Sequence, residues 1–107
     1  MAAVALGMID RLIEMSLRYA IDRRQFGQPI AEMQLVQAML ADMKVDQLAV
    51  EALMQSVAAR FDAGEKLPLE CAALKYFATE AVGRVADRAV QIHGGAGYMA
   101  EYKVERF

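Results

Sequence analysis

The chain reads as an all-α protein, an antiparallel up-and-down helix bundle of three long helices plus the start of a fourth. Three observations predict it: polar residues recurring every four positions through residues 2–22, a seven-residue apolar repeat through residues 36–61, and an alanine-rich stripe through residues 74–92. All three are helix periodicities, and none shows the alternation of a strand. A chain of 107 residues has room for one domain, residues 1–107, with a modest core.

In the first helix, residues 2–22, the polar positions are Asp10, Glu14, Arg18 and Asp22, and apolar residues such as Ile9, Leu12, Met15, Leu17 and Ile21 fill most of the remainder. So thin a polar stripe predicts burial on more than one side, inside a bundle or at a subunit interface. Glu14 and Arg18 are spaced to pair at i,i+4. Gly27 and Pro29 then stop the helix and turn the chain.

The second helix is expected to begin near residues 31–33 and to run to about Asp62. Val36, Leu40, Met43, Gln47, Val50, Met54, Val57 and Phe61 form its packed seam, spaced alternately four and three residues apart. Gln47, the polar member, reads as a hydrogen-bonded register feature. Gly64 ends this helix, and Pro68 suits the first turn of the third, where its missing N–H is not needed. Leu74, Phe77, Ala78, Ala81, Val82, Val85, Ala89 and Ile92 mark the third packed stripe, with Lys75, Glu80, Arg84, Asp87 and Arg88 on the other faces. Residues 104–107 look like the opening turn of a fourth helix. A bundle of this kind needs that helix to cover the groove left by three, so the domain is expected to be truncated relative to its own architecture.

Composition narrows the function. Twelve basic and fourteen acidic residues give a net charge of -2, which provides no drive toward nucleic acid. Hydrophobic residues make up 57% of the chain, above the usual ~45–50%, so some surface is expected to be hidden against a partner. No apolar run reaches the roughly 18 residues of a membrane span, and the start lacks the basic region of a secretory signal. The single cysteine, Cys71, excludes an internal disulfide and reads as a small helix residue. It fits a reducing compartment, cytoplasmic or the mitochondrial matrix. The methionines Met8, Met15, Met39, Met43 and Met54 read as adaptable core packing.

Two segments carry chemistry: Arg23-Arg24-Gln25-Phe26-Gly27 and Gln91-Ile92-His93-Gly94-Gly95-Ala96-Gly97-Tyr98. Each places polar groups and backbone freedom where a long helix stops. Glycines there allow left-handed conformations or close approach of a ligand, although a glycine cluster alone also suits an ordinary helix cap and turn. An arginine at a helix end beside a turn can hold a pyrophosphate through two parallel hydrogen bonds, and it can equally be a surface arginine.

Taken with Tyr19-Ala20-Ile21-Asp22 before the first segment, Gln28-Pro29-Ile30 after it, Gln34, Leu40-Ala41-Asp42-Met43 and Lys75, these segments resemble the C-terminal helical domain of the acyl-CoA dehydrogenase family. The resemblance runs through Glu101-Tyr102-Lys103-Val104-Glu105-Arg106, and its most specific pieces are the R-x-x-F-G and Q-I-x-G-G-x-G-Y patterns. It implies a helix bundle, FAD as cofactor, and α,β-dehydrogenation of acyl-CoA thioesters. It places Arg23 on the arginine that reaches the FAD of a neighbouring subunit, with Phe26 against that FAD and Gln34 near its phosphate and ribose. Gln91, Gly94 and Gly95 then receive the adenosine end.

The same resemblance implies a homo-oligomer, dimer or tetramer, with electron-transfer flavoprotein as redox partner of the parent enzyme. His93, the sole histidine, stands where many family members carry an aromatic. Without a neighbouring Asp, Ser or Cys pattern it supports neither a triad nor a zinc site, and it reads as structural. Glu101 and Glu105 read as solvated charges. The glutamate that removes the α-proton in the family is expected beyond the helix that opens at Val104 or before the point matching Met1. The chain therefore reads as a fragment with no catalytic residue of its own, holding oligomer surface and part of a partner subunit's FAD site. The alternative is a self-associating helical scaffold that never binds a cofactor.

Overall fold

α1 (Ala2–Asp22), α2 (Gln34–Asp62) and α3 (Pro68–His93) account for most of residues 2–94, which are the residues described by the computed structural model. Gly95, Glu101, Glu105 and the turn expected at Val104 lie outside them. Between α1 and α2 stands a short antiparallel hairpin, β1 (Arg24–Gln25) and β2 (Gln28–Pro29), followed by a 3-10 turn over Ile30–Glu32. That turn delays the start of α2 to Gln34, a little later than the periodicity predicts.

The core is built from the expected faces. Ile9 and Leu12 of α1, Met43 and Val50 of α2, and Val85 of α3 are fully buried. In α2 the residues seven apart, Val36, Met43, Val50 and Val57, are all buried, while the interleaved Leu40 and Met54 are half-buried. Alanines 78, 81 and 89 of α3 are buried against the other helices, where a larger side chain would hold the backbones apart.

Gln47 does what its seam position implies. Its side-chain amide donates to Asp10 of α1, and Lys44 Nζ donates to its Oε1 at 2.6 Å, so the polar seam residue pins α2 against α1. On the opposite flank, Arg84 and Arg88 of α3 meet Asp46 and Asp42 of α2 at 2.9 and 3.2 Å. These two i,i+4 pairs form an antiparallel ladder that one helical register satisfies. Hydrogen bonding to Asp46 raises the Arg84 pKa above its ordinary value. At such exposure each bridge contributes at most about 1 kcal/mol and serves register more than stability.

Phe61 departs from the seam. It is 64% exposed, because the described part of α1 ends at Ala2, level with Leu53, Met54 and Val57, and α2 runs a further turn beyond it. Leu67 of the connection packs on Val57 and Leu74 instead. α2 closes with a Schellman motif: the Gly64 N–H donates to Phe61 O at 3.0 Å and the Glu65 N–H to Arg60 O at 3.2 Å, with Gly64 at φ 92°. Burial of α1 on more than one side is also not met among the described residues, since Val4, Leu17 and Ile21 are exposed. Met8 too is exposed, unlike Met43, which is core, and Met15, Met39 and Met54, which are half-buried.

Ser16 is fully buried and its Oγ has no hydrogen-bond partner among the described residues. Relieving an unmade hydrogen bond and improving helix propensity together are expected to make Ser16→Ala more stable by about 1 kcal/mol. Thermal unfolding followed by circular dichroism reads this as a rise in Tm; a fall would mean that the hydroxyl is satisfied.

Candidate cofactor site at one end of the bundle

In an up-down-up arrangement the end of α1, the start of α2 and the end of α3 share one end of the molecule. Arg23 follows α1 directly, and its backbone is fixed on both sides: its N–H donates to Tyr19 O and its C=O accepts from the Ile30 N–H, both at 2.8 Å. The guanidinium is therefore carried by a rigid corner while remaining exposed. α3 ends at Gly94, with φ 57° and ψ −138°, a conformation open to glycine and strained for other residues. A Cβ on Gly94 would meet no atom of the described residues within 4 Å.

Arg23, Gln91 and Gly94 line a single cleft of about 380 Å³ together with Tyr19, Gln25 and Met33. Its floor is Ile30, Val36 and Ile92. The polar lining joins a cation, the side-chain amides of Gln25 and Gln91, the His93 imidazole and exposed main chain, and no carboxylate is among the described residues that line it. The first turn of α2 reaches the same end, and no side chain caps it, so its backbone amides add donor capacity. This donor set suits a phosphate-bearing ligand with a polar heterocycle. It fits the pyrophosphate and adenosine portions of a flavin dinucleotide.

His93 is 3% exposed. Its ring lies 4.4 Å from that of Tyr19, centroid to centroid, and its Nδ1 is 2.8 Å from Ala89 O. It joins α1 to α3 and also lines the cleft. Neither Phe26 nor Gln34 lines the cleft. Gln34 is exposed at the start of α2, one residue from Met33, which does line it. Among the described residues there is no cluster of three metal-ligating side chains.

Phe26 sits at the tip of the hairpin, which the sequence reading did not foresee. Phe26 and Gly27 have φ of 54° and 82°, a two-residue turn with both central residues left-handed. Arg24 Nη2 locks it by donating to Gly27 O at 3.1 Å. A phenylalanine in that conformation is costly, and the residue is 94% exposed, so nothing among the described residues repays the strain. Phe26→Gly is expected to stabilise the chain by about 1 kcal/mol, since the left-handed penalty is ~1–2 kcal/mol per residue. A Tm rise accompanied by weaker flavin binding would place the ring's function outside its own fold. A Tm drop would contradict the strain.

A helical domain with a cationic, amide-lined cleft where three helix termini meet is one that presents a ligand site from its end. The comparisons narrow this class. The model of the acyl-CoA dehydrogenase C-terminal domain matches residues 1–107. A 3-(aryl)acrylate reductase of Clostridium sporogenes is 41% identical over 105 residues, covering 98% of this chain and 28% of that protein. Among solved structures, butyryl-CoA dehydrogenase from Megasphaera elsdenii superposes with a TM-score of 0.93 at 36% identity, over 98% of this chain and 27% of its own. An FAD complex of PigA superposes with a TM-score of 0.93 at 28% identity, over 98% and 27% respectively. The chain belongs to the acyl-CoA dehydrogenase family, as its C-terminal domain, and spans little more than a quarter of the relatives it matches.

Proposed function

We propose that these residues are the part of an FAD-dependent acyl-CoA dehydrogenase that supplies oligomer surface and one half of a cofactor site shared with a neighbouring subunit. The observation that carries this reading is that Arg23 and Gln91, 68 residues apart in sequence, line one cleft with Gly94 at its rim. Arg23 would hold the pyrophosphate, Gln91 and the main chain at Gly94 and Gly95 the adenosine end, with Gln34 beside the ribose and Phe26 reaching out from the hairpin. The chemistry a bound flavin supplies is two-electron oxidation of the α,β bond of an acyl-CoA thioester, or its reverse. The residues described at the cleft bind and orient, and no carboxylate is among them. The 107 residues alone are accordingly expected to show no acyl-CoA turnover. In the parent enzyme, electron-transfer flavoprotein would accept the electrons.

The test is a titration of the purified chain with FAD, following flavin fluorescence alongside the mass of the complex in solution. Saturable binding is the expected result. A folded chain that leaves the flavin signal unchanged at every concentration would reject the half-site. It would favour the second reading, a cofactor-free self-associating scaffold, to which the exposed Val45 and Leu48 of α2 also lend support.

A further inference from the structure

His93 is the last residue of α3, between Gln91 and Gly94 of the cleft, and it is held from two directions. Ala89 O, a carbonyl, can only accept, so at 2.8 Å the His93 Nδ1 carries the hydrogen and the ring is tied to its own helix. Its face lies on Tyr19 of α1, with 4.4 Å between centroids and 31° between the ring planes, at the close end of aromatic pairing. The Tyr19 carbonyl in turn accepts the Arg23 N–H, and the Arg23 carbonyl accepts the Ile30 N–H. A continuous path runs from the end of α3 to the corner that carries the Arg23 guanidinium.

Tyr19, Arg23 and His93 share a second property. Besides the cleft, all three line another cavity of about 440 Å³, beside Arg18 and Asp22 of α1. They form the partition between two hollows, and side chains at the edge of a void have fewer atoms pressing on them, so the contacts they make with one another count for more. We propose that the His93–Tyr19 stack is a positioning element of the cofactor site: it fixes the Arg23 corner relative to Gln91 and Gly94, so that cation and amide meet a dinucleotide with their spacing already set. This inference rests on the reading of the cleft as a flavin site, and gives His93 a part that acts through Arg23.

Hydrogen exchange and FAD titration of the full chain test it. His93→Leu fills the space without an aromatic face, whereas His93→Phe keeps the face and gives up only the bond to Ala89. In His93→Leu the amides of Arg23 and Ile30, both hydrogen-bonded at the corner, are expected to exchange roughly three- to tenfold faster, as loss of an aromatic pair implies. Gly64 and Glu65, at the opposite end, are expected to keep their rates. The FAD dissociation constant is expected to rise by a similar factor, roughly three- to tenfold, but by no more than about two-fold when Arg23 is already alanine, because both changes then act on one element. His93→Phe is expected to stay within about two-fold of the wild type in both readouts.

Faster exchange at both ends of the bundle would reduce His93 to general packing. An equal loss of affinity in the two Arg23 backgrounds would mean that His93 meets the flavin itself, and a phenylalanine variant as impaired as leucine would remove the stack. Each of these overturns the proposal. A wild-type chain that leaves flavin unbound, while the corner still loosens in His93→Leu, would overturn the cofactor reading and leave the coupling of the two helix ends standing, so the two failures have different signatures.

Discussion

Arg23→Ala is expected to weaken FAD binding by roughly ten- to a hundred-fold while leaving the bundle folded. Hydrogen bonds to charged groups contribute about 1.5–3 kcal/mol, and each 1.4 kcal/mol is about tenfold in affinity. Arg23 is exposed, and both of its recorded main-chain bonds survive truncation, so the fold loses little. Arg23→Lys keeps the charge but loses the fork that meets two phosphate oxygens, and is expected to fall between wild type and alanine. Equal affinity for wild type and alanine would remove Arg23 from the site.

Leu12→Ala is expected to be the most damaging simple substitution in the core. Leu12 is fully buried on the α1 face that packs against the bundle. Leucine-to-alanine changes at such positions cost about 3–5 kcal/mol, depending on how far the surroundings collapse, out of a total of ~5–15 kcal/mol for a domain. A shift of ten degrees or more in the thermal midpoint should follow, at roughly 4–8 °C per kcal/mol for a domain near this size. Phe61→Ala is the control: a larger side chain is lost, yet its exposure predicts a change of about half a kcal/mol or less. Comparable losses for the two would mean that Phe61 is covered in solution.

The helices were legible because their periodicities are strong. The thin polar stripe gave α1 its extent, and Gly64 and Pro68 marked the α2–α3 connection. Gln47 was readable as a register residue because a lone polar group in an apolar seam needs a partner, which proved to be Asp10. The hairpin was not legible: Arg24-Gln25-Phe26-Gly27-Gln28-Pro29 has no alternation, and Phe26 is an unusual residue for a left-handed turn. The Asp42–Arg88 and Asp46–Arg84 ladder was missed for a different reason. Each charge looks solvated on its own helix, and only the antiparallel register reveals the pairing. For the site, periodicity supplied the helix ends, and the resemblance supplied the choice of Arg23, Gln91 and Gly94 among many polar residues.

The central claim is that a flavin dinucleotide is received at the end of the bundle where α1 and α3 stop. Amide chemical shifts of the isotopically labelled chain, recorded with and without saturating FAD, test it most directly. The account predicts perturbations at Arg23, Gly27, Gln91 and Gly94, with Gly64 and Leu67 at the opposite end unmoved. Shifts confined to the outer face of α2, or none at any of the four residues, would contradict it.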